Sequence, residues 1–382
     1  MRKGIIIGAG IGGLTTAIAL AKKGIGVTLF QETNDIKENG EGIFVPPNGM
    51  KVFEKLGLSN QIKQCGKALN KINIVDLNYK PLFIIDGNEI EKKHQFKTIA
   101  LHRATLQKIL KDNVPSDSIV LNKKFKSYRQ SEKRIIAEFT DGSSVDGDFL
   151  ICAEDIDSNG GFQFNNKPNL SYSGQTCWHF ITDFTFPKRE DGNMYEIWAK
   201  SKGLRVGYTQ INEKQVYVFI TNYQKAGGKD NTETLKLDLL GLCSDFPGMV
   251  EQMIFASNPN NVIRTDLYYH NSINNWVDKR FVLIGDSVHT TTLNLGQCAC
   301  QSIEDAYMIS EELSLSNDVE TCLSNYQQKR IKKASFIRKV SCKYTKLTNT
   351  SGFTKSIIKS LLRITPDAIN NKQLDKIYSI YF

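Results

Sequence analysis

Gly8, Gly10 and Gly13 stand in the spacing Gly-x-Gly-x-x-Gly directly after the apolar run Ile5-Ile6-Ile7. Glycines so spaced suit a diphosphate. The first permits a tight turn, the second lets backbone approach a pyrophosphate, and the third lets helix and strand pack closely. Unpaired N–H groups and the dipole at the following helix start then attract the anion. A helical pattern over residues 14–23 comes next, followed by a second apolar run, Val27-Thr28-Leu29-Phe30, that ends at Gln31 and Glu32. Strand, glycine turn, helix and strand within about thirty residues form the context of a dinucleotide fingerprint, with the ribose acceptor expected at the end of the second strand.

The same stretch admits two other readings. Residues 4–21 carry no charge and follow Arg2-Lys3, as in a secretory signal peptide, and the run just reaches the length of a membrane span. Five glycines interrupt it, however, and neither alternative calls for the 8/10/13 spacing or for the strand that follows.

The elements that position these residues belong to a chain of 382 residues, enough for one large enzyme or two domains. Hydrophobic content of 40% and charged content of 23% are those of a soluble globular protein. The eight cysteines, at 65, 152, 177, 243, 298, 300, 322 and 342, show no CxxC pair or disulfide-framework spacing, so a reducing, cytoplasmic setting is expected. Five scattered histidines without a His-x-x-x-His pattern predict no metal site. The net charge of +9 is uneven: residues 320–382 hold 13 Lys/Arg against 3 Asp/Glu. Such a basic tail could touch nucleic acid or anionic lipid. Without aromatic interleaving or a nucleic-acid motif, the reading is a solvated helical face, with no nucleic-acid partner and no membrane contact expected.

Strands are predicted at 72–77 and 81–85, and a helix after Arg103 with Leu106, Ile109 and Leu110 at core spacing. A hairpin is predicted over 125–139, and a buried strand at 149–153 ending near Glu154-Asp155. Residues 172–223 change to runs rich in aromatic and β-branched residues, an antiparallel sheet. A helix is predicted over 232–255, a buried strand over 280–286 ending in Gly285-Asp286, and a helix from 298 to 313. The remainder reads as helical, broken near Ser351-Gly352 and Pro366. The fold class is α/β: a Rossmann-like nucleotide-binding domain with an inserted, mostly antiparallel β-sheet substrate domain and C-terminal helices. The expected segments are 1–71, 101–168 and 271–320 for the nucleotide domain, 72–100 and 169–270 for the substrate domain, and 321–382 for the helical region.

With Gly285-Asp286 placed, the order of motifs resembles the single-component FAD-dependent aromatic hydroxylases. That family includes the para-hydroxybenzoate, salicylate and urate hydroxylases and the tetracycline-inactivating monooxygenases. The likeness runs to about residue 340. It rests on the glycine fingerprint, on Leu101-His102-Arg103-Ala104-Thr105-Leu106, on the strand-loop at 149–158, and on Gly285-Asp286 through Asp305. The resemblance implies bound FAD, with Arg103 near its phosphates and ribityl chain and Asp286 on the ribityl hydroxyls. Leu293, Gly296, Gln297 and Cys298 would pass beside the flavin ring. It implies reduction by NAD(P)H as a transient co-substrate, addition of O2 at the flavin C4a position, and delivery of one oxygen to a small aromatic or heteroaromatic substrate. Substrate-lining candidates are Trp178, His179, Trp198, Arg205 and Tyr217. Arg205 is placed to grip an anionic planar group and Tyr217 to stack or hydrogen-bond. No catalytic dyad is expected, since the cofactor carries the chemistry.

Departures gather at the cofactor. Gln31 replaces the usual acid, and Glu32, one residue on, should face the other way. The usual Ala-Asp-Gly-x-x-Ser-x-x-Arg reads Ala153-Glu154-Asp155-Ile156-Asp157-Ser158-Asn159-Gly160-Gly161, so its glycine and its arginine are both gone. Leu293 replaces a proline and Cys298 a glycine. Cys298 could carry a lowered thiol pKa at a helix start or be packed and inert. Two functional readings follow: an active flavoenzyme with a reshaped reaction face, or a flavin- or substrate-binding scaffold without turnover.

Overall fold

The computed structural model describes residues 2–35, 41–155, 170–270, 273–365 and 367–381, without the side chains of Leu293 and residues 367–370. Its first sheet has six strands in the order Val277–Asp278, Phe281–Leu283, Phe149–Cys152, Lys3–Ile7, Gly26–Phe30 and Ile119–Val120. All pairs are parallel except the first, which is an antiparallel edge. Gly4–Ile7 and the whole of Phe149–Cys152 are buried. Strands covered on both faces read as unbroken apolar runs, which is why these were visible in the sequence. The helix Ile11–Lys22 is likewise apolar nearly all round, because it lies between this sheet and the helix Cys298–Leu315.

A second, seven-stranded sheet runs in the order Ile263–His270, Leu170–Asp183, Gln215–Tyr223, Arg205–Gln210, Asn193–Trp198, Lys71–Asp76 and Pro81–Asp86. Its pairs are antiparallel except Asn193–Trp198 with Lys71–Asp76. Side chains alternate across the pleat. One face carries Trp178, Phe180, Val206, Val218 and Ile220 into a core roofed by the helices Leu235–Leu242 and Gly248–Ala256. The single helix expected over 232–255 is thus two, parted at Phe246-Pro247. Proline inside a helix would lose an N–H and clash with the preceding turn, so it starts the second helix instead.

Elements at both edges of this sheet carried no sequence expectation. Ile263–His270 forms the sheet edge with few buried apolar residues. Gly87–His94 is a short helix capped by Asp86, whose carboxylate accepts from the N–H groups of Asn88 and Glu89.

The helix Val319–Thr348 joins the two halves. Arg330 and Lys333 ion-pair with residues of Cys298–Leu315, while Thr348 and Asn349 accept from Gln175 in the second sheet. No helix among the described residues is long and apolar enough to cross a membrane.

Candidate functional site

The first turn has the shape the glycine spacing demands. Gly8 sits at φ +100°, a region that side chains rarely adopt. A Cβ at Gly13 would lie 1.9 Å from the Gly8 carbonyl oxygen, so nothing larger than glycine lets the helix start so close to the strand. At Gly10 a Cβ would meet no atom within 4 Å. The helix begins there with no side-chain cap and no acidic residue in its first turn. Open space over uncapped N–H groups is a cradle for an anionic diphosphate.

Gln31 turns back onto this loop. Its Oε1 accepts from the Ala9 N–H at 2.7 Å and its Nε2 donates to Thr33 Oγ1 at 3.0 Å. Glu32 points the other way, to Lys124 at 2.7 Å.

Arg103 opens the helix Arg103–Asp112 and pairs with Glu41. Asp286 follows Gly285, which is held at φ +65° with Ser302 Oγ where a Cβ would project. Among the described residues, none donates a hydrogen bond to the Asp286 carboxylate. Burial and then the Asp155 charge raise its pKa, against the pull of His289 and Arg103. A carboxylate so placed suits the hydroxyls of a ribityl chain, and these residues together fit FAD. Residues 156–161 of the divergent motif lie outside the described residues, as does the side chain of Leu293. The backbone at Asp155 and Cys298 does not call for glycine, since neither has a positive φ. The cost of Asp155 is electrostatic. Asp155→Asn is expected to tighten FAD binding about two- to five-fold at low salt, an effect that fades as salt screens the charge. Fluorescence titration of the apoprotein checks this, and equal affinities at low salt would remove the electrostatic account.

The loop between Gly285 and the helix Cys298–Leu315 is fixed from below by a buried charge network. Asp305 accepts from the Gly285 N–H at 2.9 Å and hydrogen-bonds His289 Nε2 at 2.5 Å, while its other oxygen accepts from Arg330 Nε at 2.7 Å. Arg330 also donates to Glu304 at 2.5 Å and to Gln301 Oε1 at 2.8 Å. Lys333 and Asn48 supply Glu304 with two further donors, and Gln297 accepts from Asn48 at 2.9 Å. Gly296 takes φ +59°. Cys298 Sγ donates to the Thr291 carbonyl at 3.1 Å, and burial, then the Asp286 charge, push its thiol pKa up. Of the two readings of Cys298, this environment favours the packed, inert thiol. His289, Glu304, Arg330 and Lys333 were not expected from the sequence. The signal was the pair Glu304-Asp305 in a stretch, 298–310, that holds no other charge, since buried carboxylates require cations.

Of the five substrate-lining candidates, four share the sheet face turned away from the helix-covered core: His179, Trp198, Arg205 and Tyr217. Trp178 is the correction. It alternates onto the opposite face, within the core and bonded to Asp230 at 2.7 Å. Arg205, 1% exposed, is already engaged: Nη1 to Glu196 at 2.8 Å, Nε to Thr221 Oγ1 at 3.1 Å, and Nη2 to Asn294 Oδ1 at 2.6 Å. The same Glu196 oxygen accepts from Trp198 Nε1 at 2.7 Å and Tyr344 Oη at 2.7 Å. Asn294 ties this cluster to the loop above, and its amide donates to Thr345 Oγ1 at 2.6 Å. Tyr217 bonds His179 Nδ1 at 2.8 Å. Burial holds the phenol and the imidazole neutral, raising the pKa of Tyr217 and lowering that of His179.

A family model described as FAD binding domain matches residues 2–338. The aurachin C monooxygenase/isomerase of Stigmatella aurantiaca is 30% identical over 331 residues, 87% of this chain and 85% of that protein. The FAD-dependent urate hydroxylase of Klebsiella pneumoniae is 27% identical over 338 residues, 86% of this chain and 85% of that protein. The crystal structure of Klebsiella pneumoniae HpxO with FAD and uric acid superposes with a TM-score of 0.90 at 25% identity, covering 98% of this chain and 96% of that one. The matched span includes both the glycine turn and the Gly285-Asp286 strand end. The chain belongs to the FAD binding domain family and is a flavoenzyme of the FAD-dependent monooxygenase class.

Proposed function

We propose that this flavoenzyme, reduced by NAD(P)H, hydroxylates a small, uncharged aromatic or heteroaromatic compound lying between FAD and the seven-stranded sheet. The observation that carries the reading is the bond between Arg205 and Asn294. It fastens the polar face of the sheet to the loop that the family resemblance sets beside the flavin. When bound, FAD supplies electron transfer and oxygen activation. The chain's own residues orient and enclose the substrate. Tyr217 and His179 offer neutral hydrogen-bonding edges, and Trp198 an apolar wall.

The substrate's charge follows from Arg205. A bidentate grip on an anion needs two adjacent free N–H groups, and this guanidinium directs four of its five toward Glu196, Thr221, Asn294 and Gln175. Its charge is cancelled by Glu196, so the cluster offers polarity without net attraction for an anion. A transient reductant agrees with the single nucleotide fingerprint of the chain.

The test is NADH and NADPH oxidation by the FAD-loaded protein with neutral phenols, quinolones and purines against their carboxylate analogues, using isotopically labelled O2. Stimulated oxidation with label in a neutral product is the expected result. Stimulation by carboxylates alone would overturn the charge assignment, and reduced flavin without label in product would overturn hydroxylation. Yellow protein that NAD(P)H never reduces would leave the scaffold reading.

A further inference from the structure

The helix Gly352–Ile364 is turned the opposite way from an ordinary surface helix. Its basic side faces the protein. Lys355, 2% exposed, donates to the Ser201 carbonyl at 2.6 Å, Lys359 donates to that of Trp198 at 2.9 Å, and Arg363 pairs with Asp76. Its apolar side faces out: Phe353 is 82% exposed and Ile364 74%, with Ile357 and Leu361 exposed between them. Positions 353, 357, 361 and 364 fall on one stripe at helical spacing, about 17 Å long. Ile84 is a further exposed aliphatic residue, on the strand Pro81–Asp86 against which this helix packs. The orientation is held in place, because rolling the stripe inward would strip three cations of their partners.

The surroundings supply the complementary signal. From Thr321 to Pro366 the sequence has eleven Lys/Arg and no Asp or Glu, and six of them, Lys329, Arg330, Lys333, Lys355, Lys359 and Arg363, bond within the protein. On the preceding helix Val319–Thr348, Lys339, Lys343 and Lys346 are exposed at i, i+4 and i+7, and none forms an ion pair among the described residues. We propose that the outer face of Gly352–Ile364 is a docking surface for an anionic lipid bilayer, its apolar stripe entering the interface and the neighbouring lysines meeting the headgroups.

Two arguments favour lipid over a second copy of the chain. A two-fold interface centred on the stripe would set each basic, acid-free segment against its own copy, like charge against like. An apolar stripe beside lysines is instead the pairing of signals that seats a helix in the plane of a membrane. The position is also apt, because the inner side of this helix bonds the backbone of Trp198. The sequence pointed away from membrane contact, since charge counts alone read as a solvated face. What the sequence did not show is that the charges of this helix turn in and its aliphatic groups turn out.

Flotation of the full, FAD-loaded chain with vesicles tests the proposal. The protein is expected to float with phosphatidylcholine–phosphatidylglycerol vesicles and far less with phosphatidylcholine alone. Phe353→Ser with Leu361→Ser should weaken binding at least about tenfold, and so should Lys339→Gln with Lys343→Gln and Lys346→Gln. All five residues are exposed, so flavin absorbance should stay unchanged in both variants. Wild-type protein that does not float, or variants that float as well as wild type, would overturn the proposal. A wild-type dimer in light scattering that the serine variant converts to monomer without vesicles would also overturn it, assigning the stripe to a second copy.

Discussion

An Arg330→Leu variant is expected to lose about 3–5 kcal/mol of folding stability near neutral pH, the usual result of removing one partner from a buried ion pair. The residue is 1% exposed and serves two carboxylates, Asp305 at 2.7 Å and Glu304 at 2.5 Å. Without it Lys333 is the cation left to Glu304, and Asp305 keeps His289 and the Gly285 N–H. The pH dependence follows from Asp305. Burial alone would raise its pKa, yet His289 and Arg330 hold it below the usual carboxylate range. A depressed folded pKa contributes stability that is present above the unfolded value, about 4, and is lost as pH falls through the folded one. In the variant Asp305 protonates more readily. The stability gap between wild type and variant should therefore narrow as pH drops from 7 toward the carboxylate range. FAD should be held more weakly as well, because Asp305 fixes the backbone of Gly285, the residue before Asp286. Urea unfolding of apo and FAD-loaded forms across pH measures both effects. A loss below about 1 kcal/mol at pH 7 would show that the network relaxes around the missing cation.

What the sequence disclosed and what it withheld divide along the range of the forces involved. The glycine turn was legible because Gly8 and Gly13 meet constraints set within a few residues, a positive φ and a carbonyl 1.9 Å from a would-be Cβ. The strands at 3–7 and 149–152 were legible because burial on both faces leaves an unbroken apolar run. Partners brought together by folding were not. Arg330 lies 25 residues from Asp305, and Tyr344 lies 148 from Glu196. Trp178 was placed on the site face because composition shows a strand rich in aromatics without showing which parity meets the cofactor. Register puts Trp178 in the helix-covered core and His179 on the other face. At Cys298 local reasoning about a helix start competed with burial, which no single position reveals.

Glu196→Gln is expected to reverse the charge preference of the substrate face. The side chain keeps its size and an oxygen that can accept, so Trp198 and Tyr344 retain a partner, while the charge opposing Arg205 disappears. Arginine does not give up its proton in response. The variant thus holds a buried cation without a counterion, destabilised by about 3 kcal/mol, and any anion entering the site supplies what is missing. Carboxylate analogues should gain at least about tenfold in affinity relative to their neutral counterparts, the direction set by pairing a buried charge. The kcat/KM for the neutral substrate should fall. Titrations followed through flavin absorbance give the affinities, and added carboxylate should restore part of the lost thermal stability. Wild-type protein that already prefers the carboxylates, with a ratio untouched in the variant, would mean that Arg205 leaves Glu196 to meet its ligand. A control removes both charges. Glu196→Leu combined with Arg205→Leu should cost less stability than Glu196→Leu alone, because no charge is left buried and unpaired. If the double variant also shows no preference between neutral and anionic ligands, discrimination resides in this one ion pair, and the residue that decides what the enzyme accepts is the glutamate behind the arginine.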